Sequence, residues 1–183
     1  EFRRVLFRSE ARRLYPSEPV RAREIVGDAF LSFESSGIDR TLAARDPAAY
    51  KALDAGAWGV LGPSIESAAE AAAFVGALRF SGAGTRGACP IVRAASHSAM
   101  PWSEFVRQQA RTGLVVMIET AQGVEQCEAI CRVPGVKALM PGPFDLSVSL
   151  GSPGNVQDSR VVQGIEHVIS CARTAGLPIV MPV

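Results

Sequence analysis

Leu114-Val115-Val116-Met117-Ile118-Glu119-Thr120 and Val136-Lys137-Ala138-Leu139-Met140-Pro141-Gly142-Pro143-Phe144-Asp145 decide the fold. Each is a short apolar run closed by a carboxylate, and Gly123 to Arg132 between them reads as a helix. Apolar runs of this length, rich in β-branched residues, are strands buried on both faces. A strand followed by a helix and a second such strand is a parallel unit with a right-handed crossover.

The pattern continues outward. Trp58 to Leu61 reads as a buried strand. Ser67-x-x-Glu70 is a capping box opening an Ala-rich helix to about Arg79. Asp46-Pro47 opens a helix through about Asp54, and Trp102 to Arg111 reads as another. Pro141 to Asn155 reads as a Gly/Pro/Ser-rich stretch leading into a helix over Ser159 to Ala175, with a last strand over Leu177 to Val183. Toward the start, Ser17-Glu18-Pro19 opens a helix whose apolar face runs through Ala22, Ile25, Val26, Ala29, Phe30 and Phe33, and Ile38 to Leu42 is a short strand candidate. Strand and helix alternate at least five times with no hairpin signal, which leaves a doubly wound sheet or a (β/α)8 barrel.

Composition narrows the class. The chain has 183 residues, 48% of them hydrophobic, and a formal net charge of +1. That excludes a disordered chain, and no uncharged run reaches the roughly 18–20 residues of a membrane span. Seven arginines against three acids crowd residues 1–23. No aromatic interleaving or nucleic-acid module follows them, so a nucleic-acid partner is not expected. Residues 1–9 read as a non-native leader, because the chain opens on Glu-Phe without Met, and residues 10–183 as one partial domain. Cys89, Cys127, Cys131 and Cys171 form no Cys-x-x-Cys pair, so they read as small apolar residues in a reducing, cytoplasmic compartment.

In both α/β architectures chemistry gathers at the C-terminal ends of strands. That rule selects Glu119 and Asp145. Two carboxylates on neighbouring strand ends can share a divalent cation of the Mg²⁺ or Mn²⁺ kind; singly, each could equally cap the helix that follows. Gly82-Ala-Gly84-Thr-Arg-Gly87 fits G-x-G-x-x-G letter for letter, but a helix precedes it and Cys89-Pro90 follows. The dinucleotide fingerprint needs a strand before and a helix after, so a loop is expected instead. His97 reads as a surface residue and His167 as structural; Lys51 and Lys137 stand at no inward strand end, which argues against Schiff-base chemistry.

From about Arg40 to Pro182 the sequence resembles the HpcH/HpaI aldolases, metal-dependent pyruvate aldolases related to the citrate lyase β-subunit. Leu53-Asp-Ala-Gly-Ala-Trp-Gly-Val-Leu-Gly-Pro63 resembles that family's Leu-Asp-x-Gly-Ala segment, and Gly84-Thr-Arg-Gly87 its Arg-Gly loop. Ile118-Glu119-Thr120 resembles its metal-glutamate motif, and Gly142-Pro-Phe-Asp-Leu-Ser147 with Ser149-Leu-Gly151 its metal-aspartate motif.

The resemblance implies a (β/α)8 TIM barrel of the phosphoenolpyruvate/pyruvate type, incomplete at both ends here. It implies a class II aldolase that reversibly cleaves a 4-hydroxy-2-oxo acid to pyruvate and an aldehyde. Glu119 and Asp145 would hold Mg²⁺ or Mn²⁺, with Co²⁺ and Zn²⁺ as alternatives. Arg40, with Arg45 as fallback, would meet the developing enolate charge, and Asp54 joins Arg40 as a catalytic candidate. Gly142, Pro143 and Phe144 would line the 2-oxo-acid pocket. Self-association, a hexamer in the full-length family, is implied as well. The sequence departs from the family at Leu14, near the place of a catalytic His, and at Met117, where a Gln is often found. An inactive relative keeping only the site, or a lyase acting on a CoA thioester, are the alternative readings.

Overall fold

The computed structural model describes residues 30–32 and 47–181. Four parallel strands form one sheet in the order β1-β2-β3-β4: β1 Phe30–Ser32, β2 Gly59–Gly62, β3 Gly113–Ile118 and β4 Val136–Pro141. Chain order and spatial order coincide, so the described sheet has no switch point of the kind that defines a doubly wound fold. The register places Leu61 beside Val115 and Val115 beside Ala138.

Helices fill the crossovers: α1 Pro47–Asp54, α2 Ala68–Leu78, α3 Trp102–Gln109, α4 Ala121–Glu125, α5 Cys127–Cys131, α6 Pro143–Ser149 and α7 Ser159–Ala175. The Ser67 hydroxyl accepts the Glu70 N–H at 3.1 Å, as the capping box predicts. The Glu70 carboxylate reaches one residue further back than expected, accepting from the Glu66 N–H at 2.8 Å. At the other end of the chain, α7 closes on Gly176 in the left-handed region (φ 69°), where a residue without Cβ is favoured.

The helix-facing side of the sheet is the main core. Leu114, Val116 and Ile118 of β3, Val136 and Leu139 of β4 and Val60 of β2 pack against Phe74, Leu78, Ile130 and Val168. Alternate residues turn to the other face, where Val115, Ala138 and Val180 are buried with Leu61 and Met140 against them. Glu119 continues the Val115–Met117 side of that alternation.

Four sequence expectations change. Residues 30–32 are a strand rather than the end of a long helix: an apolar stretch this short serves either period. The helix expected over 123–132 is two helices, α4 and α5, meeting at Gln126 (φ −90°, ψ 1°). Residues 143–149, inside the Gly/Pro/Ser-rich stretch for which no helix is predicted, are α6, with Pro143 in the first turn where its missing N–H costs nothing. The last strand shrinks to one bridge, Leu139 to Ile179. The expected helix before residue 30, the strand at 38–42 and the leader at 1–9 lie outside the described residues. Among the described residues no helix is long and apolar enough to cross a membrane.

Candidate metal-binding site

β3 ends at Ile118, and the next residue, Glu119, is buried at the C-terminal edge of the sheet (6% exposed). Its neighbour Thr120 caps α4, accepting the Gly123 N–H on its hydroxyl at 3.0 Å. Thr120 therefore does the capping in place of Glu119, and leaves the carboxylate for other work.

Oε1 of Glu119 accepts two hydrogen bonds from Ser64, just beyond β2: one from its backbone N–H at 2.7 Å and one from its hydroxyl at 2.6 Å. Oε2 faces β4. A Cβ built on Gly142 would stand 2.9 Å from Oε2 and 2.7 Å from the Glu119 Cβ, so only glycine lets the two strand ends come this close. The Gly142 N–H donates to the Ile118 carbonyl at 2.8 Å, fastening those ends together. In the first turn of α6, Asp145 is exposed, and its negative charge acts on Glu119. Ser149, one helical turn on, accepts the Ala121 N–H at 3.0 Å and ties α6 to α4. Two bonds on either side of Asp145 in sequence, at Gly142 and at Ser149, thus fasten its segment to the chain flanking Glu119.

Burial pushes the Glu119 pKa above the ordinary carboxylate value. The Ser64 hydroxyl opposes that shift, and the negative charge of Asp145 adds to it. A buried carboxylate facing another carboxylate is a site of unrelieved negative potential, which a cation would relieve. The donors are hard oxygens, which suits Mg²⁺ or Mn²⁺. No group of three or more His, Cys, Asp or Glu poised to hold a metal occurs among the described residues.

The other expected site residues fare differently. Arg40, Arg45 and Leu14 lie outside the described residues. Gly142 spends its N–H on Ile118 and its carbonyl on the Leu146 N–H, so what it offers is room rather than a pocket hydrogen bond. The Phe144 carbonyl accepts the Ser147 hydroxyl at 2.6 Å, while its ring is 55% exposed. Asp54 is not brought to the pair. It precedes β2, at the opposite edge of the sheet, and its carboxylate accepts from Arg86 at 2.5 Å. Arg86 is fully buried, donates also to the Gln109 side chain at 2.7 Å and stacks on Phe80 with its guanidinium carbon 4.6 Å from the ring centre. The geometry gives Asp54 a structural role as the counter-charge of a buried cation.

The G-x-G-x-x-G segment is accounted for in the same place. The Thr85 N–H donates to the Gly76 carbonyl at 2.9 Å and the Arg86 N–H to the Arg79 carbonyl at 2.8 Å. A Cβ on Gly84 would lie 2.1 Å from the Gly76 oxygen. The loop caps the end of α2 and delivers Arg86; these two amides are spent on helix carbonyls. His97 is exposed with Nδ1 3.1 Å from the Ile91 carbonyl. His167 is exposed on α7, 3.4 Å from the Cys171 sulfur; Cys127 and Cys131 are buried, as apolar core residues should be, whereas Cys171 is half-buried and Cys89, on the loop after Gly87, is exposed and not a core residue. Sequence reasoning missed Ser64. The strand-end rule, applied to β2 as it was to β3 and β4, would have found it.

A family model described as HpcH/HpaI aldolase/citrate lyase matches residues 36–182. A hydroxypyruvate/pyruvate aldolase of Paraburkholderia phytofirmans is 36% identical over 132 residues, covering 69% of this chain and 50% of that protein. A 2-dehydro-3,6-dideoxy-6-sulfogluconate aldolase of Pseudomonas putida is 37% identical over 141 residues, covering 75% of this chain and 54% of that one. The chain thus spans about half the length of the curated relatives it matches. Among solved structures, an HpcH/HpaI aldolase/citrate lyase family protein from Burkholderia cenocepacia superposes with a TM-score of 0.71 at 29% identity, over 82% of this chain and 68% of that one.

Proposed function

The chain belongs to the HpcH/HpaI aldolase/citrate lyase family, and from that premise we propose that it carries the cation and 2-oxo-acid site of a class II aldolase. The reaction is the reversible cleavage of a 4-hydroxy-2-oxo acid to pyruvate, or a close 2-oxo acid, and an aldehyde. The observation that carries this reading is the Glu119–Asp145 pair, held at two adjacent parallel strand ends with one oxygen of Glu119 already satisfied by Ser64. The names of the relatives favour aldolase action over thioester cleavage.

In this proposal Glu119 and Asp145 hold a divalent cation, Mg²⁺ or Mn²⁺, whose chemistry when bound is to polarise the keto oxygen and stabilise negative charge on the enolate. Glu119 acts from a buried position, where its charge is screened least by water. Ser64 and Gly142 fix its carboxylate, so the ligand geometry exists before the substrate arrives, which lowers the cost of reaching the transition state. The exposed Phe144 ring beside Asp145 offers an apolar wall to the methyl end of a 2-oxo acid. Arg40 is proposed as the cationic partner of the enolate oxygen. The four-stranded sheet in consecutive order is proposed to be an arc of a (β/α)8 barrel, and self-association is carried over from the family as part of the same proposal.

The test is exchange of pyruvate methyl protons in D₂O, followed by NMR with added Mg²⁺. Exchange that stops with a chelator and with Glu119→Gln is the expected result. No exchange in a folded, Mg²⁺-binding sample would remove enolate chemistry from this chain.

A further inference from the structure

Ser64 takes up an unusual backbone. It is one of four non-glycine residues in the described chain with positive φ, at 50°, a region a side chain enters only when its surroundings hold it there. That conformation turns its N–H and its hydroxyl the same way, and both donate to one atom, Oε1 of Glu119, at 2.7 and 2.6 Å. The loop is also pinned from behind: the Ile65 carbonyl lies 2.9 Å from where a Cβ on Gly123 would stand, so α4 and the Ser64 turn pack in direct contact. The other oxygen, Oε2, is turned toward Gly142, the residue that leads from β4 into the helix carrying Asp145.

We propose that Ser64 is a positioning residue that decides which oxygen of Glu119 meets the cation. It engages Oε1 with two donors and so presents Glu119 as a one-oxygen ligand through Oε2. The proposal rests on reading Glu119 and Asp145 as a cation site. Two hydrogen bonds on one oxygen leave that atom poorly placed to share a cation, and a carboxylate free to rotate would offer both oxygens or neither in fixed register. Groups that orient a metal ligand in this way typically change metal affinity by about 10- to 100-fold when removed.

Two variants separate orientation from mere stability. Ser64→Ala deletes the hydroxyl and keeps the N–H. Ser64→Gly deletes it too, and suits a positive φ better than serine does. Binding of Mn²⁺ alone is followed by EPR, and melting of the chelator-treated protein is measured alongside. Both variants are expected to bind Mn²⁺ about tenfold more weakly than wild type, with an altered EPR line shape, while Ser64→Gly melts at or above the wild-type temperature. Mn²⁺ affinity within about twofold of wild type in both variants would overturn the proposal. So would a loss of affinity that only tracks a lower melting temperature in chelator. If wild type and Glu119→Gln bind Mn²⁺ equally poorly, the cation reading itself falls and this proposal falls with it.

Discussion

Gly142→Ala tests the geometry of the site most directly. Its backbone is ordinary (φ −105°, ψ 85°), so alanine brings no conformational penalty of the left-handed kind. What it brings is a methyl group 2.7 Å from the Glu119 Cβ and 2.9 Å from Oε2. Carbon atoms rest at about 3.5–4.0 Å, so the overlap is roughly 1 Å. Rotating the Glu119 carboxylate clears Oε2 but breaks the two Ser64 bonds, and it does nothing for the Cβ contact. Moving the end of β4 clears both, but stretches the Gly142–Ile118 hydrogen bond of 2.8 Å. Overpacking of this kind costs about 1–3 kcal/mol, which for a domain of this size lowers the melting temperature by about 2–12 °C. Either escape displaces the Glu119 oxygens relative to Asp145, and Mn²⁺ affinity should fall at least about tenfold. Gly76→Ala is the control, because nothing lies within 4 Å of its Cβ position and helical alanine should hold or raise stability. Wild-type melting and Mn²⁺ binding in Gly142→Ala would refute the close approach of the two strand ends.

Two further outcomes follow from the charges. Asp54→Asn removes the counter-charge of the fully buried Arg86; since Asp54 is itself 23% exposed, the loss should be about 2–4 kcal/mol, near the lower end for a broken buried pair, with Mn²⁺ affinity untouched. Loss of pyruvate exchange at an unchanged melting temperature would instead return Asp54 to catalysis. For Glu119, burial and then the charge of Asp145 outweigh the Ser64 bonds and raise the folded-state pKa above the unfolded one. Between the two values the folded chain holds the extra proton, so stability falls as pH rises through that window. Glu119→Gln keeps an oxygen for Ser64 and loses the penalty. In chelator it should melt above wild type at about pH 7.5, and the gap should close well below the ordinary value of 4.5. A gap that widens with acid would reverse the sign of the argument.

Much of the fold and of the carboxylate pair is legible in the amino-acid sequence. The helix over Ser159–Ala175 and the start of the helix at Ala68 follow from caps and periodicity, which act over four residues. The strands that end just before Glu119 and four residues before Asp145 announce themselves as apolar runs, and the strand-end rule then selects both carboxylates. What stays hidden is of two kinds. α6 is masked because Pro141, Gly142, Pro143 and the following serines carry turn chemistry, although proline is also a good first helical residue. The roles of Ser64 and Asp54 depend on partners 55 and 32 residues away in sequence. No local pattern encodes such a pair, so neither the bond to Glu119 nor the ion pair with Arg86 can be read from the letters around it.

The 55-residue span between Ser64 and Glu119 also bears on how the chain reaches its folded state. Bringing those two residues together closes a loop whose entropic cost grows as the logarithm of its length, about 3.5 kcal/mol plus a constant for a span of this size. Nothing local offsets that cost until β2 and β3 have docked. A cation that needs Oε2 in its fixed direction would therefore find no competent partner in the unfolded ensemble and would bind only assembled chains. By mass action, cation at a hundred times its dissociation constant would deepen the folded basin by about 2.7 kcal/mol. Metal supply would then set how many copies of such a molecule stay folded.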